Sequence, residues 1–239
     1  MRYFLIALTS VIFLSHCGND ADLPNIVGAT SADDQRAEKL FQKASDYEER
    51  GKTKRAIKTY REIAEEIPLA KRSSEARFRQ AQLVDQSGDP LKAFDLYQQV
   101  IASDYRGKFY DQSLKRQVAI AHGASTGELE NSFLGLDTRV SDAEIIKMLE
   151  KCIANAPRST IAAKSTLMIG NIYADKGDVP RAIPFFRRVV EKHPGSSQAA
   201  EAQFRIGEVL LKQARSGNQD QTNLARAREG FADYLSQFP

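Results

Sequence analysis

The chain has 239 residues, 42% of them hydrophobic and 27% charged, an ordinary composition for a folded protein. Its 34 Lys and Arg are interspersed with 31 Asp and Glu, so the pI near 8.8 reflects a small imbalance; the clustered cations of a nucleic-acid-binding surface are missing. Three His and two Cys, none at ligand spacing, argue against a zinc site, and the sequence has neither a Gly-rich phosphate loop nor a Ser elbow.

Residues 1–16 read as a secretory signal peptide: Arg2 supplies the positive start, residues 4–14 are apolar, and Ser15 and His16 form a short exit. The apolar run is too short for a spanning helix of about 20 residues. Leu14, Ser15, His16 and Cys17 resemble the lipobox of bacterial lipoproteins, with His16 where a small residue is usual. The resemblance implies that Cys17 carries the lipid, palmitate included, and becomes the mature N-terminus. The other reading is an ordinary cleaved signal followed by a stray Cys. Gly18 stands where an Asp would retain an enteric lipoprotein in the inner membrane, which by resemblance implies the periplasmic face of the outer membrane. Residues 17–34, polar and carrying Pro24 and Gly28, are expected to form a flexible tether.

Beyond the tether, apolar residues fall at helical spacing: Leu40, Phe41, Ala44 and Tyr47, then Ala56, Ile57, Tyr60 and Ile63. The same constellation is clearest over 165–194. There Ile169, Gly170 and Tyr173 sit on a first helix, Gly177 and Asp178 turn the chain, Ala182 and Phe186 sit on a second helix, and Pro194 closes the unit. Gly170 and Ala182 are small, so two antiparallel helices can cross closely, with Tyr173 and Phe186 filling the volume beside them. The intervals Ala44 to Ala81, Ala56 to Ala93, Pro157 to Pro194 and Gly170 to Gly207 are each 37 residues. This pattern resembles the tetratricopeptide repeat, whose common period is about 34 residues. The resemblance implies an all-α solenoid of about five helical hairpins, each burying its apolar face against its neighbours. Repeats 1–2 are expected over 35–105, an interrupted repeat 3 over 106–157, and repeats 4–5 over 158–239.

In repeat 3, a first helix over 108–122 carries Leu114, Val118 and Ala121, and a second one starts at the Ser141 cap and carries Ile145, Leu149 and Ile153. The turn-rich segment 123–140 interrupts them. Phe133, Leu134 and Leu136 are more apolar than a free loop requires, so the segment is expected to pack or to bind a partner. Cys152 takes the inward place that Val189 takes one repeat later and reads as a small buried hydrophobe. Residues 217–223 are expected to be a surface loop. The array stops at Pro239, where a further hairpin would begin; either the sequence continues, or a partner covers the helix of Phe231, Tyr234 and Leu235.

His16, His122 and His193 are scattered, and neighbouring carboxylates such as Glu48 and Glu49 or Glu65 and Glu66 diverge around a helix, so a non-enzyme without metal or cofactor is expected. A groove lined by first helices is the candidate site. Three residues before each small crossing residue stand Phe41, Phe78, Leu167 and Phe204, an apolar ladder that, with Tyr47, would suit an extended peptide. The alternative is that these side chains pack between adjacent first helices. A carboxylate clamp would need repeated Lys, Arg and Asn on that face, and Lys164 and Asn171 are too few.

The phrases AEKLFQKASDYEERGKTKRAIKTYREIAEEIP, RFRQAQLVDQSGDPLKAFDLYQQVI and AAEAQFRIGEVLLKQA, behind a lipobox and a polar tether, resemble the BamD family of outer-membrane β-barrel assembly lipoproteins. The interrupted third repeat departs from the enteric form. The resemblance implies a non-catalytic, lipid-anchored scaffold. Its amino-terminal repeats, with Phe41, Tyr47 and Phe78, would receive unfolded outer-membrane proteins. Its carboxy-terminal repeats, around 204–238, would dock on the BamA-type barrel protein and other assembly-complex subunits. Two alternatives stand beside it: a cell-envelope tetratricopeptide scaffold coordinating peptidoglycan or Tol-Pal partners, whose amino-terminal coiled coil this chain lacks, and an accessory module for a lytic or secretion enzyme.

Overall fold

The computed structural model describes residues 28–105, 107–133, 136–216 and 221–238. The expected signal peptide, Cys17 and most of the tether lie outside the described residues, as do Leu134, residues 217–220 and Pro239.

Ten helices and one β-hairpin follow in order among the described residues: α1 (Ser31–Glu49), α2 (Thr53–Glu66), α3 (Ser73–Gln86), α4 (Pro90–Ser103), α5 (Tyr110–Thr126), β1 (Glu130–Phe133), β2 (Leu136–Arg139), α6 (Asp142–Asn155), α7 (Thr160–Asp175), α8 (Val179–Lys192), α9 (Ser197–Ser216) and α10 (Gln221–Gln237). They form a helical solenoid of five hairpins, α1/α2 to α9/α10. Each helix packs on the next in sequence, and α5 also touches α7 and α7 touches α9. First helices that meet across repeats lie on the inner side of the curve, so α1, α3, α5, α7 and α9 line the concave face.

The local chemistry sets the boundaries. Thr30 and Asp33 form a reciprocal capping box, which starts α1 at Ser31; residues 31–34, expected in the tether, are therefore helical. Gly88 and Gly177 turn their hairpins at φ of 83° and 74°, a region that L side chains avoid, and Asp89 and Asp178 then cap the second helices. Ser159 caps α7 six residues before position 165, where the hairpin pattern becomes clear in the sequence.

Close helix crossings depend on glycine. A Cβ on Gly170 would stand 2.6 Å from the Phe186 ring, and one on Gly207 would stand 2.8 Å from the Phe231 ring. Phe186, Val189, Ala182 and Ile206 belong to one apolar cluster, and Tyr97, Phe94, Leu149 and Cys152 to a larger one that spans α3 to α7. Cys152 is fully buried, and burial pushes its thiol up to about 12. Between repeats 2 and 3 the core turns polar. Fully buried Gln117 donates to Gln98 at 2.7 Å, and the Asn155 amide donates to Gln98 at 2.8 Å and to Gln117 at 2.7 Å. Tyr110 Oη donates to the Asn155 carbonyl at 2.9 Å, so each member is satisfied.

Repeat 3 adds a feature that the helical reading lacked. α5 runs through residues 123–126, which the sequence assigned to the insertion, and ends at Gly127 with φ 77°. The Glu128 and Leu129 N–H groups both donate to the Gly123 carbonyl, at 2.9 and 3.2 Å, closing the helix end. The remainder forms an antiparallel two-stranded hairpin in which Glu130 pairs with Arg139 and Phe133 with Leu136. The side chains of Phe133 and Leu136 lie outside the described residues. At the hairpin's base Val140 is buried and Leu129 rests on Gly123. In the last repeat α10 begins at Gln221, so residues 221–223 are helical where a loop was expected.

Candidate protein-binding surface

The concave face is crossed by ionic staples that repeat with the period of the fold. Glu48, near the end of α1, accepts a hydrogen bond from Tyr60 Oη of its own repeat at 3.2 Å and one from Arg79 Nη2 of the next first helix. One repeat on, Asp85 accepts from Tyr97 Oη at 3.2 Å and from Arg116 Nε at 2.9 Å, with Arg116 Nη2 ion-paired to it at 2.7 Å. Glu48 to Asp85, Tyr60 to Tyr97 and Arg79 to Arg116 are each 37 residues. Burial and then the facing carboxylate push the Tyr97 phenol up to about 12, and the same two causes raise that of Tyr60. The hydrogen bond that Arg116 donates to Asp85 holds its guanidinium charged.

The staple is rewritten in the later repeats. In repeat 3 its three places fall to His122, Leu149 and Met168. His122 Nε2 is buried without a hydrogen-bond partner, and burial with the nearby Lys164 charge lowers its imidazole to about 4. In repeat 4 the acid place falls to Ala174 and the phenol place to Phe186, so the hydroxyl and its acceptor disappear together. Arg205 keeps the cation place and turns to Asn171 at 3.0 Å and Glu208 at 2.6 Å.

The apolar ladder divides. Phe78 and Leu167 are each only 4% exposed and belong to the core, as packing between helices requires. Phe109 stacks on Phe78 with centroids 4.7 Å apart. Half-buried Phe41 meets the Tyr60 ring edge-on at 5.3 Å and is covered by the Arg72 guanidinium at 4.5 Å. Phe109 follows Arg72 by 37 residues, as Phe78 follows Phe41, so the residue before each next first helix covers the rung behind it. Arg72 is itself fixed by Glu38 at 2.7 Å and Glu75 at 2.6 Å, and the Arg72 hydrogen bond holds the Glu38 carboxyl below its usual range. Tyr47 is half-buried beneath Arg55. Phe204 alone among the four rungs is well exposed, at 44%, beside Phe231 and Tyr234 at 5.6 and 5.7 Å, with Phe238 beyond.

The concave face of repeats 1 and 2 is therefore ionic, and the last hairpin is aromatic. Sequence reasoning passed over Arg72, Arg79 and Arg116. The signal that would have found them was the 37-residue period, applied to charged residues as well as small ones. Among the described residues no helix is long and apolar enough to cross a membrane, and no group of three or more His, Cys, Asp and Glu could hold a metal.

Tetratricopeptide repeat sequences match residues 41–106 and 167–239, more than half of the chain. Serine/threonine-protein kinase PknD of Chlamydia caviae is 41% identical over 68 residues, covering 28% of this chain and 7% of that protein. PknD of Chlamydia abortus is 40% identical over 75 residues, covering 31% and 7%. The chain thus matches only a small part of these kinases. Among solved structures, MamA from Desulfovibrio magneticus RS-1 aligns with a TM-score of 0.38 and 15% identity over 84% of this chain and 94% of that one. YrrB, described as a TPR protein with an unusual peptide-binding site, aligns with a TM-score of 0.40 and 13% identity over 87% and 89%. With five stacked hairpins, glycine-dependent crossings and two matched segments, the chain belongs to the tetratricopeptide repeat family.

Proposed function

We propose that the chain is a non-catalytic scaffold of outer-membrane β-barrel assembly, lipid-anchored through Cys17 at the periplasmic face. Its concave face binds segments of unfolded outer-membrane proteins, and its last hairpin docks on the BamA-type barrel protein of the assembly complex. The observation that carries the reading is the exposed surface of that hairpin. Phe204 stands open beside Tyr234, which itself meets Phe238, and Leu235 on α10 is 71% exposed. Phe204, Leu224 and Leu235 are three exposed large apolar side chains on this one hairpin, and such a group suits a folded partner. The resemblance of residues 14–17 to a lipobox and of the sequence phrases to the assembly lipoproteins supports this choice of compartment.

A pull-down of the tagged full chain from detergent-solubilised envelopes, read by mass spectrometry, tests the reading. A BamA-type barrel protein should be the main specific partner, and Phe204→Ala with Leu235→Ser should abolish its recovery. Recovery of Tol-Pal or peptidoglycan enzymes without such a barrel protein would refute the proposal.

A further inference from the structure

The outward side of α10, turned away from α9, is a face that the earlier repeats always cover. On the second helix of repeats 1–4, one place is held by Ile57, Phe94, Ile146 and Ile183, and the place seven residues on by Ile153 and Val190 in repeats 3 and 4. All six join apolar clusters shared between neighbouring repeats, and α3, α5, α7 and α9 each pack on the second helix before them. In repeat 5, counted from Phe186 to Phe231, the two places fall to Arg228 and Leu235. Both are exposed, Leu235 at 71%. Leu224, in the place of buried Val179, is exposed as well. Two clefts of about 500 and 460 Å³ meet at Leu224, Arg228 and Ala232.

The cation decides what can cover this face. In the chain's own junctions a first helix enters with a small residue and an aliphatic one seven positions on, Ala76 and Leu83 in α3 or Ala202 and Val209 in α9, all of them buried. A helix of that kind would bury Arg228 without an acceptor. On α1 those places fall to exposed Lys39 and Asp46, so a second copy docking head to tail would set an ammonium group on Leu235. α10 itself supplies what both lack. Glu229 stands next to Arg228, neither makes an ion pair among the described residues, and exposed Ala225 and Ala232 leave room for a close approach.

We infer that α10 pairs with α10 of a second copy, antiparallel about a two-fold axis at the level of residue 230. This register lays Leu235 of one copy on Leu224 and Ala225 of the other. It also sets Arg228 across Ala232, with Glu229 of the other copy as its carboxylate. The contact is isologous, so each pairing is made twice. Apolar burial holds the two helices, and the paired charges fix their direction. α10 has 17 residues and is about 25 Å long. A contact of that length falls below the roughly 1,200 Å² of a standard interface, so the dimer is weak, with a Kd on the order of micromolar or above. The inference is independent of the outer-membrane reading.

Sedimentation equilibrium of the full chain in density-matched detergent, from about 1 to about 500 μM, tests the pairing. A monomer–dimer equilibrium is expected. Arg228→Glu and Glu229→Arg, both at exposed positions, should each weaken it at least tenfold, because like charges then meet across the two-fold axis. An equimolar mixture of the two variants should associate as the wild type does, since an acidic face then meets a basic one. Should either variant lose helix, as judged by circular dichroism, Ala232→Trp takes its place; it blocks the close approach and should abolish the dimer. A monomer at all concentrations, a dimer indifferent to the substitutions, a mixture that stays monomeric, or open-ended oligomers from head-to-tail docking would each overturn the inference. The charge variants keep Phe204 and Leu235, so loss of the dimer and loss of the barrel partner are read separately.

Discussion

Tyr97→Phe should change the sign of its effect with the residue at position 85. In the wild type, the Tyr97 hydroxyl gives Asp85 a hydrogen bond at 3.2 Å, and the Asp85 side chain is only 11% exposed. Removing the hydroxyl forfeits one hydrogen bond to a charged group; Asp85 retains both Arg116 contacts, so the cost is about 1 kcal/mol. Asp85→Ala costs more. It strips the acceptor from a buried phenol, at about 1–3 kcal/mol, and breaks an ion pair whose Arg116 side chain is 53% exposed and so contributes about 0–1 kcal/mol. The sum is about 1–4 kcal/mol, a fall of about 2–16 °C in Tm for a chain of this size. In the Asp85→Ala background the hydroxyl is a stranded polar group, and Tyr97→Phe should then be neutral or stabilising by about 1 kcal/mol. Urea denaturation of the four chains, followed by circular dichroism, measures the cycle. Equal costs of Tyr97→Phe in both backgrounds would show that the staple is a geometric coincidence.

Three other outcomes follow from single sites. The His122 imidazole titrates near 6.5 when unfolded and at about 4 when folded, so between those values the unfolded chain binds more protons. Stability should be full above pH 6.5 and decline by about 1–2 kcal/mol as pH falls toward 4, the figure reduced for partial solvent access. His122→Leu should flatten that decline in denaturation curves taken at each pH, and an unchanged slope would assign it to other groups. Gly170→Ala should destabilise by about 1–2 kcal/mol, because the gain in helix propensity of about 1 kcal/mol is outweighed by a Cβ forced onto the fully buried Phe186 ring; a rise in Tm would contradict the crossing geometry. Cys152, buried and raised to about 12, should react with a thiol reagent only at the rate of unfolding. Rapid labelling of the native chain would show that its helix opens locally.

The hairpins were legible in the sequence because their crossings need small residues, and a fixed period of small residues rarely arises except where hairpins stack. Ala44, Ala81, Gly170 and Gly207 located the first helices, and Gly177 with Asp178 located a turn. The capping of α1 was also written in Thr30 and Asp33, but the acidic, polar run around them reads equally well as a tether until the reciprocal bonds are seen. The ladder was harder. Phe41, Phe78, Leu167 and Phe204 occupy one register, yet their exposure differs with what packs above them: an Arg lies over Phe41 and a ring over Phe78, while Phe204 stays 44% exposed beside Phe231 and Tyr234. Periodicity reports a side chain's direction, and only the neighbouring repeat decides whether that direction leads to solvent. The β-hairpin escaped for a different reason. Strands of four residues carry too few alternations to be distinguished from a polar loop.

Because each helix packs mainly on its sequence neighbours, contacts span short stretches of chain, and loop closure costs little before contact is rewarded. A hairpin can therefore assemble as soon as both its helices are free, whichever end of the chain becomes available first, and later ones add by templating on it. Repeat 3 should be the slow link, since its two helices must meet across the whole β-hairpin. Folding should therefore divide into an amino-terminal block and a carboxy-terminal block that join last through the buried Gln98, Gln117 and Asn155 amides.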